Sequence, residues 1–233
     1  MALTGKAAVA MWWHIAPEHR AEFLDWHTHE HFNERLHIAG FQRGTRWASE
    51  DDATGFFIMY ELSDRDVLAG PAYLERLNNP TPWSVKMMPH HAGMVRTLCQ
   101  VSASAGAGVG RYMLTLRITP EEQGTLPLRT YCEELVQTLP TRPGVTGAHL
   151  LERADLGHVA QTQEQRIRGM DRTADWVFLV CGYDAKALRD LLALELAPDA
   201  LEKHGAAGLT QGSGETRVAG LYGVSATLSA TEM

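Results

Sequence analysis

Apolar residues along this chain fall into short dense runs separated by longer amphipathic stretches, and the same succession occurs twice. In the first, residues 7–15 (AAVAMWWHI) are almost wholly apolar, the text of a strand covered on both faces. The run stops at Pro17-Glu18. Proline suits a first helical turn, where its missing N–H is not needed, and an early glutamate complements the helix dipole. Residues 18–36 then carry helical spacing, and Gly40 turns the chain into a strand at 41–43. A second strand is expected at 56–62, a second helix at 64–78, and a closing strand at 101–104.

The second succession begins at 114–121, where Ile-Thr-Pro-Glu repeats the Ile-Ala-Pro-Glu ending of the first strand. A helix at 126–139, a turn at Gly144, strands at 144–147 and 176–180, a helix at 185–203 and a strand at 224–227 follow. Each copy reads β-α-β-β-α-β, the split βαβ, ferredoxin-like order. The expected fold is therefore α+β: tandem ferredoxin-like βαββαβ repeats, 1–105 and 106–233, joined at Gly106-Ala107-Gly108. An open apolar sheet face must be covered, so the two antiparallel sheets are expected to pack together as an intramolecular α+β barrel. Between its central strands the second repeat carries a polar stretch, 154–173. A connection that long is a lid, a binding loop or a mobile segment, and its composition does not choose among them.

Composition narrows the function. With 233 residues and a formal charge of −7, the chain lacks the concentrated basic face that nucleic acid requires. Cys99, Cys132 and Cys181 are few and far apart, which argues against a disulfide framework. No run is long enough to span a bilayer and no signal-peptide pattern opens the chain, so we expect a soluble, cytoplasmic protein without a membrane partner. It would be a monomer with an internal pseudo-dimer, or a homodimer. Eight of the eleven histidines lie at or before His91, and five of the six tryptophans at or before Trp83, which points to the first repeat as the seat of chemistry.

That crowding centres on the first helix. A regular helix puts Phe23, Trp26, His27, Glu30 and Glu34 on one side, with His31 and Arg35 on its flank. Histidine titrates near neutrality, and a neighbouring carboxylate orients it for acid–base work. An ordinary solvated helix face is the plainer alternative. An offset of 104 residues places Thr130, Tyr131, Glu134 and Leu135 opposite Trp26, His27, Glu30 and His31, so the histidines occur in one copy only.

The same segment, WHTHEHFNERL (26–36) followed by IAGF (38–41), resembles the pattern W-(Y/H)-x-x-E-H-x-x-E-R-L-x-(I/V)-P-G-F of EthD-like members of the dimeric α+β barrel superfamily. PAYL (71–74) and NPTPW (79–83) look like that group's later segments, and Ala39 departs from the pattern's proline. The resemblance covers roughly residues 7–104. It implies a two-sheet barrel, made here by fused repeats. It also implies a range of activities, from cofactor-independent monooxygenases, lactone isomerases, polyketide cyclases and decarboxylases to haem enzymes.

The reading that follows is a small cofactor-independent enzyme acting on a compact apolar or aromatic carbonyl metabolite. His31 would be the acid or base, Glu30 its orienting partner, and His27 and Arg35 further catalytic groups. Trp26, Trp12, Trp47, Tyr60 and Trp83 would wall the pocket, His14 would stand at its mouth on the Trp12 face, and Arg46 would hold an oxygen. A non-catalytic ligand-binding or pathway-accessory protein is the rival. A metal- or haem-dependent enzyme is the third possibility: His27 and His31 have the i, i+4 spacing of zincin ligands, although Thr28 stands where that motif needs glutamate. His90-His91 or Glu30 would complete the set. No residue stands out as a haem ligand, and nucleotide-binding and nucleophile-elbow motifs are missing.

Overall fold

The computed structural model describes residues 3–155, 157, 161–169, 171–207 and 219–232. In chain order the first repeat supplies β1 (Ala7–His14), α1 (Pro17–Trp26), a π-helical turn (His27–His31), α2 (Phe32–Leu36), β2 (Phe41–Ser49) and β3 (Gly55–Leu62). It continues with a 3₁₀ turn (Arg65–Ala69), α3 (Pro71–Asn78), α4 (Pro82–Met87) and β4 (Ala92–Gly106). The second supplies β5 (Tyr112–Ile118), α5 (Thr125–Thr138), β6 (Val145–Arg153), α6 (Gln163–Arg168), β7 (Trp176–Gly182), α7 (Ala185–Leu191), α8 (Pro198–Lys203) and β8 (Ala219–Ser229). The hydrogen-bonded strand order β1-β3-β2-β8-β5-β7-β6-β4 closes on itself as a barrel, the α+β class expected of paired ferredoxin-like repeats.

Helix boundaries differ from the sequence reading where proline intervenes. The second helix of each repeat is broken, at Pro71 in one and by turns at 192–197 ahead of Pro198 in the other. Pro17 does begin α1, but Pro120 forms an isolated bridge with Ala206, and α5 starts only at Thr125. Gly106 ends β4 rather than forming a loose linker: a Cβ there would stand 2.2 Å from the Thr146 carbonyl oxygen.

Two compact units emerge. One joins Thr4–Gln100 with Ala154–Thr173 and Val224–Met233. In it β1 lies antiparallel between β3 and β4, and β2 pairs with the far side of β3. Strand alternation sends Val9, Met11, Trp13, Ile58 and Tyr60 to the face covered by Phe23, Trp26, Phe32 and Leu36 of the first helix. Trp12 and Trp47 stack on opposite sides of Phe57, at 4.9 and 5.1 Å between ring centroids, on the other face. The second unit is built on Val101–Arg153 and Ala174–Gly223. There β5 lies between β7 and β8, and Leu114, Leu116, Phe178 and Val180 meet Leu128, Cys132 and Val136 of α5. Among the described residues no helix is long and apolar enough to cross a membrane.

Candidate active site

One residue too many in a helix builds the site. Apolar residues on α1 and α2 fall at Phe23, Trp26, Phe32 and Leu36, leaving a gap of six where three or four keeps one face. The chain absorbs the excess in the π turn, where the Phe32 N–H donates to the His27 carbonyl, five residues back. Such single π turns favour functional sites. From this turn onward each residue takes the angular place expected of the one before it. Arg35 is consequently buried where a regular helix would put Glu34, and Glu34 turns outward to Arg76 at 3.3 Å. Gly44 on β2 keeps room for this helix, since a Cβ there would come within 2.8 Å of Phe32 and 2.9 Å of Tyr60.

Between the helix and the sheet lies a cavity of about 490 Å³, its mouth included. His27, His31 and His91 line it with Trp13, Trp26 and Tyr60, and Met88, Met94 and Leu77 make an adaptable apolar wall. Arg35, Arg96, Glu164 and Arg168 complete it. Glu164 and Arg168 come from α6, so this helix of the polar stretch forms part of the cavity wall. A capping box of Thr162 and Gln165 starts α6, and the Gln163 N–H donates to Asn78 at 3.1 Å.

Polar groups in this cavity are conspicuously unpaired. Both ring nitrogens of His27, Nδ1 of His31, Nη1 of Arg35, the Tyr60 hydroxyl and Trp13 Nε1 have no hydrogen-bond partner among the described residues. Each such orphan costs about 1–3 kcal/mol unless something supplies the bond. Several of these groups stand in the wall of one cavity, which makes it the candidate site. Burial, with Arg46 for His27 and Arg35 for His31, holds both imidazoles well below the ordinary range. Burial also depresses His91, to about 4, although its Nδ1 lies 3.0 Å from the Met88 carbonyl. All three are neutral at pH 7. Burial pushes the Tyr60 hydroxyl up, so it stays a donor. Arg35 is ion-paired with Glu164, which outweighs burial and keeps the guanidinium charged. Arg168 grips Asp171 through two bonds, 2.9 and 2.7 Å, and reaches Glu164 at 3.5 Å.

Of the residues singled out by sequence, the structure brings His31, His27, Arg35, Trp26 and Tyr60 together. It moves the others away. Glu30 does not orient His31; its carboxylate accepts from Trp26 Nε1 at 3.1 Å and from Thr81 at 2.5 Å, because the π turn carries it off the cavity face. The carboxylate behind His31 is Glu34, 3.8 Å from Nδ1. Trp12 and Trp47 lie on the opposite sheet face, Trp83 donates to Glu22, and Arg46 donates to the Leu24 carbonyl and Ser225. His14 is exposed and pairs with Asp52 at 3.0 Å, so the working face is that of Trp13, not Trp12. Trp13, Tyr73, Arg96, Glu164 and Arg168 escaped the sequence reading. The only signal was the six-residue apolar gap, which reveals the π turn but not the partners from α6.

The same geometry suits neither a metal ion nor haem. Among the described residues no three His, Cys, Asp or Glu side chains are arranged to hold a metal ion, and Glu30 is tied to Trp26 and Thr81. A cavity of about 490 Å³, its open mouth included, is too small to enclose a porphyrin.

No family model and no curated protein matches the chain. Solved structures do. An anthrone oxidase-like protein aligns over 98% of this chain and 95% of its own, at 14% identity and a TM-score of 0.62. A protein from Fusobacterium nucleatum proposed as a monooxygenase aligns over 97% and 96%, at 10% identity and 0.60. A protein proposed as a chlorite dismutase aligns over 95% of both chains, at 10% identity and 0.56. At such identities the likeness concerns fold alone: this chain shares the ferredoxin-like α+β barrel of monooxygenase-type proteins.

Proposed function

We propose that this protein is a small acid–base enzyme, working without a cofactor on a compact apolar or aromatic metabolite that carries a carbonyl or phenolic group. The observation behind this reading is the pair of neutral imidazoles, buried His27 and largely buried His31, which stand in the wall of one cavity with ring nitrogens unpaired beside other unpaired donors. His31 takes a proton from carbon next to the carbonyl, and the C–H electron pair moves into the carbonyl as an enolate. Arg35 and Tyr60 donate to the developing oxyanion, the kind of preorganised stabilisation that supplies most of a rate enhancement. Glu34, 3.8 Å from His31 Nδ1, faces the imidazolium that forms. Returning the proton elsewhere gives isomerisation or cyclisation. With molecular oxygen as co-substrate, the electron-rich enolate is the reductant for an oxygenation. The EthD-like motif at 26–36 and fold neighbours named for monooxygenase and anthrone oxidase activity agree with that range.

Solvent-deuterium exchange tests the shared first step. Incubated in D₂O with cyclic diketones and anthrone, the protein should speed exchange of their acidic C–H, followed by proton magnetic resonance. His31→Ala should lower that rate by about 10²–10⁴. Binding without accelerated exchange, or exchange untouched by His31→Ala, would refute the enzyme reading in favour of a binding protein.

A further inference from the structure

Charges around the cavity do not cancel. Three guanidiniums stand at its wall, Arg35, Arg96 and Arg168. Two carboxylates answer them: Glu164, which meets Arg35 and Arg168, and Asp171, which Arg168 holds through both oxygens. Arg96 donates to a neutral group, the Tyr73 hydroxyl, at 2.6 Å, and shares the charge of Asp171 with Arg168. Glu34 and Arg76 form a balanced pair outside the wall. Arg46, behind His27, and Glu30, behind Trp26, leave the sum as it is. With the three imidazoles neutral, one positive charge is left over. Beside walls this apolar an uncompensated charge attracts a counter-ion, and an anion seated there supplies it.

The unused donors say where that anion belongs. Arg35 is held by Glu164 through one nitrogen, and its Nη1 is buried without a partner among the described residues. The Tyr60 hydroxyl is likewise buried and unpartnered. We propose that the cavity is a receptor for a monoanion, whose anionic oxygen is taken by Arg35 Nη1 and the Tyr60 hydroxyl and whose apolar body lies against Trp13, Met88 and Met94. Glu164 is a positioning residue: it fixes Arg35 while leaving the leftover charge to the ligand. A carboxylate, phenolate or enolate oxygen meets this description. The inference takes from the proposed function only that this cavity is the working site.

Isosteric pairs test it, read by the fluorescence of Trp13 and Trp26 in the cavity wall. Benzoate is compared with benzamide, and 4-nitrophenolate with 4-nitrotoluene; the two pairs distinguish a carboxylate from a phenolate source. The anion of at least one pair should bind about tenfold or more tighter than its neutral partner, or about 1.4 kcal/mol. Arg96→Gln, which removes the leftover charge from a half-buried position, should bring that ratio to near one. Glu164→Gln, which adds positive charge with little change of shape, should raise it. The neutral member reports whether a variant's cavity persists. Equal affinity for anion and neutral partner, ratios unmoved by both variants, or no binding of any of the four at millimolar concentration would overturn the proposal. Anion preference without deuterium exchange would instead refute the enzymatic reading and leave the receptor standing.

Discussion

Three neutral imidazoles in one apolar site make this fold sensitive to mild acid. His27, His31 and His91 all have folded-state pKa values depressed below the 6.5 of an exposed histidine, chiefly by burial. A depressed group contributes stability that is complete above its unfolded pKa and is lost as pH falls toward the folded value. The window therefore opens just below pH 6.5 and runs, for His91, to about 4. Between pH 7 and 5 His91 alone removes about 2 kcal/mol, from the difference in proton uptake at 6.5 and 4. Each histidine adds at most about 1.4 kcal/mol per pH unit, so three acting together set a limiting slope of about 4. Glu34, raised by burial, works in the opposite direction at lower pH and softens the fall. Urea unfolding at a series of pH values measures the slope directly. His91→Leu should flatten it by the share of one proton. A stability that changes by less than about 1 kcal/mol between pH 7 and 5 would show that these imidazoles are not neutral and buried as described.

Other consequences are equally open to measurement. Arg35→Met and Glu164→Leu should each destabilise the protein by about 3–5 kcal/mol, by stranding a buried charge, while the double variant recovers most of that loss; additive losses in a double-mutant cycle would contradict a direct pair. Gly44→Ala should cost about 1–3 kcal/mol in thermal or urea unfolding, because its Cβ would press on Phe32 and Tyr60. Cys99, Cys132 and Cys181 are all buried, and burial pushes Cys132 up to about 12. A thiol reagent should therefore label none of them in the native protein and all three after denaturation.

Architecture was legible in the sequence because both periodicities are strong: apolar runs such as 56–62 mark strands, and glycine turns repeat at Gly40 and Gly144. What escaped was local. A straight-helix projection rotates Arg35 to the flank and Glu30 onto the working face, and one inserted residue reverses both placements. The contribution of α6 was illegible for a different reason. Glu164 lies 129 residues from Arg35, and nothing in a single chain of letters pairs them.

The crowding of histidine in the first repeat has a physical counterpart in how the two helix–sheet cores are filled. His14 pairs with Asp52 at the surface, and His19 stacks on His90 at 3.6 Å, so these need no functional account. His27, His31 and His91 surround the cavity. In the second repeat α5 has no π turn, and its buried residues are Leu128, Cys132, Leu135 and Val136, with Leu135 in the place that the 104-residue offset gives to His31. Leucine there belongs to one apolar cluster with Leu150 and Val180. A histidine in such a core would be desolvated for no return, while in the first repeat the π turn opens a space where a desolvated imidazole faces unpaired donors and an unbalanced guanidinium. The first repeat holds this cavity with three histidines in its wall, and the ligand we propose accounts for both.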